Sequence, residues 1–247
     1  MARVPTFAAP TETWKRKRPR LASSTARRRP GPARIPAQPP SQARPPRLAY
    51  NECVMRHQSA ASRTVPFEDF FLGEETSEIR HEWHDGVVYA MSRGTPRHGR
   101  LVGQIGRLLA NALEPACALY TSDTPIWIEA ARLCTYADAS FVCGPLQTMT
   151  ARNKSGQPIS DAITNPSIVI EVLSPATERY DRDGKFAAYR LLPSFEEYVL
   201  VAQDELRVEV FRRPADAEAA WLSRSAGMGA DIAIHGVHIA VDAIYAR

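Results

Sequence analysis

At 247 residues the chain has room for one large domain or two small ones. It lacks both an apolar run near the ~20 residues a bilayer demands and the apolar core of a signal peptide, so it reads as a soluble, cytoplasmic protein. Its net charge of +4 hides two unlike parts. Residues 1–64 carry fourteen Lys/Arg against Glu12 and Glu52, net +12, and the rest carries seventeen against twenty-five acids, net −8.

Residues 1–64 also hold ten of the twenty prolines and the runs Lys15–Arg18 and Arg27–Arg29, with few large apolar side chains. Such a segment cannot bury enough surface to offset its ordering entropy, which predicts disorder. It reads either as an electrostatic arm for nucleic-acid phosphates or as a non-native extension, with Met55 as the natural start. A domain is expected over 65–247.

Pro66 is followed by Phe67, Phe70, Phe71 and Leu72 around Glu68 and Asp69, a short amphipathic helix. Residues 79–84 and 87–91 flank Asp85-Gly86, a two-residue hairpin turn. Leu101, Ile105, Leu108, Leu109 and Ala112 recur at helical spacing from Arg97 to Glu114, and Pro115 stops that helix. Strands are predicted at 117–121, 124–129, 135–143 and 167–173, with 144–166 a loop holding at most a short helix. A helix over 182–192, a hairpin over 196–202 and 206–212, and strand pieces near 231–234 and 237–241 complete a mixed α/β domain around a sheet. Cys53, Cys117, Cys134 and Cys143 form no C-x-x-C pair. Three of them lie in apolar surroundings and read as small buried hydrophobes of a reducing compartment, and no zinc site is expected.

Chemistry is concentrated where a carboxylate interrupts an apolar strand. Glu171 sits at the centre of Ile168-Val169-Ile170-Glu171-Val172-Leu173, sharing a face with Val169 and Leu173. A carboxylate there is costly unless paired, hydrogen-bonded or bound to metal. Asp138 opens the preceding strand. Together they suit Mg²⁺ or Mn²⁺, which takes one or two carboxylates plus waters and phosphate oxygens. Lys185, on the first turn of the 182–192 helix, could offset charge developing on a phosphate or orient the attacking water. Glu82, in the first hairpin, could be a third acidic ligand or orient a water, or could simply pair with a basic side chain. His98, just before the long helix, could contact phosphate or reach the site, or could be a polar cap or surface group. Asp181 and Asp183 read as caps of the Lys185 helix. His81 and His84 alternate with Glu82, point away from it and make no zinc pair.

These residues resemble the PD-(D/E)XK nuclease superfamily, and within it the Uma2 family of restriction-type endonucleases. The resemblance spans about 65–212: Phe67-Glu68-Asp69-Phe70, Glu82 with Asp85-Gly86, Met91-Ser92, His98, Asp138, Pro166 with Ile168 to Pro175, then Asp181, Lys185 and Tyr189, and Glu197 to Val201. It implies a restriction-endonuclease-like mixed sheet flanked by helices and a Mg²⁺-dependent DNA hydrolase, often a homodimer. Asp138 and Glu171 would be the metal ligands, Lys185 a catalytic lysine moved from strand to helix, and Glu82 the N-terminal acidic residue. Ala137 stands where the family has proline, and Leu173 where the superfamily has its lysine, so cleavage depends on Lys185 folding back over the site. The alternatives are a catalytically silent nuclease-fold module that binds DNA or regulates, and a hydrolase of another phosphate ester. An acidic domain needs either local basic patches or the basic tail to approach DNA, and Arg97, Arg100, Arg107, Arg179, Arg182 and Arg190 could form such a patch around the site.

Overall fold

Pro66 opens the first helix as the fixed φ of proline allows. α1 (Phe67–Glu74) turns Phe70 and Phe71 inward. The computed structural model describes residues 64–246 apart from 114, 217 and 218, all within the unit Arg44–Arg247. The expectation of disorder over 1–64 lies, Thr64 excepted, outside the described residues.

β1 (His81–His84) and β2 (Val87–Ala90) pair across Asp85-Gly86, whose φ values of 47° and 93° are those of the two-residue turn that asparagine, aspartate and glycine favour. α2 (Pro96–Leu113) buries Leu101, Ile105 and Leu109 completely. Next come β3 (Cys117–Thr121), β4 (Ile126–Ile128), a 3₁₀ turn at Glu129–Ala131, β5 (Leu133–Thr135) and β6 (Ala139–Cys143). The expected strand over 135–143 is thus broken, and Tyr136, Ala137 and Asp138 lie in the break.

The predicted loop over 144–166 is instead largely a hairpin, β7 (Thr148–Arg152) and β8 (Pro158–Ile163). Its inward residues are small or flexible, with Met149, Ala151 and Ala162 packed beside Phe70 and Phe71. That muted alternation is why the segment reads as a loop. β9 (Ile168–Leu173) is buried at every position. Tyr180–Lys185 then forms a π-helical segment that passes into α3 (Phe186–Tyr189). β10 (Glu197–Ala202), β11 (Arg207–Arg212), β12 (Leu222–Gly227), β13 (Asp231–Ile234), β14 (Val237–Ala240) and α4 (Val241–Tyr245) follow.

The strands make two six-stranded sheets, ordered β2-β1-β5-β4-β8-β7 and β12-β11-β10-β9-β6-β3, while β13 and β14 pair alone. In the second sheet β9 runs parallel to β10 and antiparallel to β6. Ile168, Ile170 and Val172 pack with α2 and α4 on one face. Val169 and Leu173 face the other way, among Tyr189, Phe195 and Tyr198 and against Ile126, Ile128 and Leu133 of the first sheet. Strand alternation therefore sends Glu171 into the space between the two sheets.

The cysteines overturn one expectation. Cys117 and Cys143 face each other across β3 and β6 and are joined as a disulfide, whereas Cys134 is a buried free thiol. Cysteines directly opposite on antiparallel strands bring their side chains within bonding reach.

Candidate active site

Glu171 projects from the middle of β9 and is 3 % exposed. Its Oε2 accepts the backbone N–H of Asp138 (3.2 Å) and its Oε1 lies 3.1 Å from Lys185 Nζ. The break before β6 makes the first contact, because Asp138 leaves the ladder there and turns its own amide to the glutamate. Asp138 Oδ2 in turn accepts the N–H of Val172 (2.7 Å) and lies 3.1 Å from Nε2 of His98, on the first turn of α2. Main chain and carboxylates thus clasp each other across β6 and β9.

Lys185 reaches the same point from the π-helical segment and is 5 % exposed. Besides Glu171, its ammonium donates to the Tyr136 carbonyl (3.1 Å) and lies 3.4 Å from Glu82 Oε1 and 3.6 Å from Asp181 Oδ1. The wider turn of a π-helix carries more than four residues, which keeps residues four apart close to one face. Asp181, Lys185 and Tyr189 consequently form a stripe, with Tyr189 OH 3.4 Å from Glu171 Oε1. Glu82, from β1, accepts hydrogen bonds from Thr135 Oγ1 and from Tyr180 OH (2.9 Å).

All four predicted residues, Asp138, Glu171, Lys185 and Glu82, therefore meet. Lys185 ends a π-helical segment rather than starting an α-helix. Glu82 contacts Lys185 and two hydroxyls, not Asp138. His98 joins the site through Asp138. Asp181 is the residue missed: read as a helix cap, it is 3 % exposed and faces Lys185, whereas Asp183 remains on the surface beside Arg179. Its four-residue spacing from Lys185, repeated to Tyr189, is the signal that could have found it. His81 turns instead to Glu74, 3.0 Å away.

The electrostatics follow from burial. Burial pushes the Glu171 carboxyl well above the usual range; Lys185 opposes this, and Asp181 and Asp138 reinforce it. Burial likewise raises Asp181. Burial alone would lower Lys185, but Glu171, Glu82 and Asp181 around it reverse the effect and keep it charged. The hydrogen bond to Asp138 raises His98, with burial working against it. Four carboxylates share one ammonium and one imidazole, so the cluster gains from a further positive charge.

The donor set suits a hard divalent ion. Glu171 and Asp138 offer carboxylate oxygens, the ligands Mg²⁺ and Mn²⁺ prefer over sulfur. The Asp138 side chain is 21 % exposed against 4 % for Glu171, so the cluster is accessible at Asp138. Asp138 Oδ1 carries no hydrogen bond among the described residues. Three of the six arginines expected to form a patch are engaged with other groups. Arg100 binds the carbonyls of Tyr245 and Ala246, Arg182 pairs with Glu178 and Glu209, and Arg190 lies over Phe186 and Trp221.

The chain is 33 % identical over 192 residues to the uncharacterized protein slr1290 of Synechocystis sp., an alignment covering 75 % of this chain and 96 % of that one. A second Synechocystis protein, sll1609, is 26 % identical over 66 % of this chain and 88 % of its own length. Among solved structures, that of "a putative nuclease belonging to DUF820" from Anabaena variabilis superposes with a TM-score of 0.54 at 16 % identity, covering 72 % of this chain and 96 % of that one. The chain thus shares the mixed α/β fold of that structure. The Uma2 family model, described as "Putative restriction endonuclease", matches residues 67–235, and the chain belongs to that family.

Proposed function

We propose that the protein is a divalent-metal-dependent endonuclease that hydrolyses DNA phosphodiester bonds. One observation carries the reading: a buried cluster with more carboxylate than positive charge, accessible at Asp138 and built on a nuclease-type fold. Asp138 and Glu171 would hold Mg²⁺ or Mn²⁺. Such an ion polarises a phosphoryl group and supplies hydroxide near neutral pH.

The protein's own groups divide the remaining work. Lys185 holds one oxygen of Glu171, leaving the other directed toward Asp138. Its ammonium also offsets negative charge that grows on the phosphate during attack. Glu82 and Asp181 are positioning residues, fixing the Lys185 head from two sides. His98 orients Asp138 from the opening of the site.

Supercoiled plasmid incubated with Mg²⁺ or Mn²⁺ tests the proposal. Wild type should nick it only with metal, Glu171→Gln and Asp138→Asn should not, and Lys185→Gln should be slower by about 10²–10³-fold. Metal-independent nicking, or undiminished nicking by Glu171→Gln, contradicts it. DNA binding without any cleavage would assign the silent module instead.

A further inference from the structure

At the end of β6 remote from Asp138, three side chains suited to a soft metal come together. Cys117 and Cys143 lie opposite one another on β3 and β6, and a ring nitrogen of His235 lies within 4.8 Å of both sulfurs. Five residues of strand, about 17 Å, separate Cys143 from Asp138, so this group lies outside the candidate active site.

His235 is held for a purpose a disulfide does not explain. It occupies the first position of the β13–β14 turn at φ 48°, followed by Gly236 at φ 81°. Its backbone N–H donates to Glu197 Oε2 (2.7 Å), and the Arg212 guanidinium fixes that buried carboxylate in turn. Its Nδ1 lies 3.4 Å from Glu196 Oε2, so an ion held with the two sulfurs would take Nε2. A carboxylate behind the far nitrogen is the usual support of a metal-binding histidine. Disulfide sulfurs offer an imidazole little, whereas two thiolates and an imidazole are three of the four ligands of a tetrahedral zinc site. His235 also lines a cleft of about 330 Å³ with Glu196, Glu197, Arg212, Arg213 and Pro214, so the imidazole can be reached from that side.

We propose that, once the Cys117–Cys143 bond is reduced, the two thiolates and His235 Nε2 bind a thiophilic divalent ion such as Zn²⁺, with the fourth position open to water from the cleft. Ligands at about 2.0–2.3 Å from zinc sit roughly 3.5–3.8 Å apart, within reach of small rotations of these side chains. The redox step balances with a dithiol as reductant. Two electrons and two protons pass to the sulfurs while the dithiol closes to its own disulfide, and metal binding then releases the two protons. Oxidation reverses both steps and expels the ion.

Full-length Cys53→Ser protein, reduced with dithiothreitol and desalted under argon, is titrated with Co²⁺ in excess Mg²⁺, which occupies carboxylate sites. The reduced protein should develop a thiolate-to-cobalt charge-transfer band that saturates at a single equivalent and is displaced by Zn²⁺. The unreduced protein should show none. With near-ultraviolet circular dichroism unchanged, His235→Ala and the milder Glu196→Gln should each weaken binding about 10–100-fold. No such band in the reduced protein, or equal affinity in both variants, would overturn the proposal.

Discussion

Lys185 is the residue on which the candidate site turns. Its ammonium lies among three buried carboxylates and a carbonyl, and replacing it leaves those charges without a counter-ion. Lys185→Met should lower unfolding stability by about 3–5 kcal/mol in metal-free buffer, measured by urea denaturation. A change below 1 kcal/mol would mean that the cluster relaxes by taking up protons. Asp138 and Glu171 were legible because each is a carboxylate set in an apolar strand pattern, whereas Lys185, at the end of the charged run Asp181-Arg182-Asp183-Gly184, was legible chiefly through the resemblance. Asp181 was not, since an aspartate before a helical pattern is normally a cap. Cys134 is the opposite case. Burial raises its thiol far out of the reactive range, so peptide mapping should find it unalkylated by iodoacetamide until the protein unfolds.

At the scale of elements, the π-helical segment decides the geometry of the site. π turns inside helices mark an inserted residue and are frequent at functional sites. Deleting Gly184 should restore an α ladder, move Asp181 from four to three residues before the lysine and lower metal-dependent nicking, while helix content by far-ultraviolet circular dichroism stays near wild type. Retained nicking would show that the register is incidental. In α2, Gly103 meets nothing within 4 Å of an added Cβ, so Gly103→Ala should stabilise the fold by about 1 kcal/mol. Most elements were legible because the period of their apolar residues matches what they bury, as Leu101, Ile105 and Leu109 do in α2. β7 and β8 escaped because Ala151 and Ala162 fill a tight space beside Phe70 and Phe71, where larger side chains would have announced a strand.

Across the whole molecule, charge is unevenly distributed. The sequence after residue 64 is net −8, and three of the arginines expected to face DNA are tied to other groups. Approach to DNA should therefore depend on the +12 segment. Removing residues 1–63 should weaken DNA binding at low salt and flatten its salt dependence, because fewer phosphate counterions are released; an unchanged slope would place the contacts within the remaining domain. The Cys117–Cys143 pairing was invisible beforehand, since sequence spacing carries no information about which strands lie side by side.

The most direct test of the account is calorimetric titration of Mn²⁺ into the unreduced protein, beside Asp138→Asn and Glu171→Gln. A saturable site is expected in the wild type, and either substitution should remove it. Binding that survives both, or no saturable binding to the folded wild type, would contradict it.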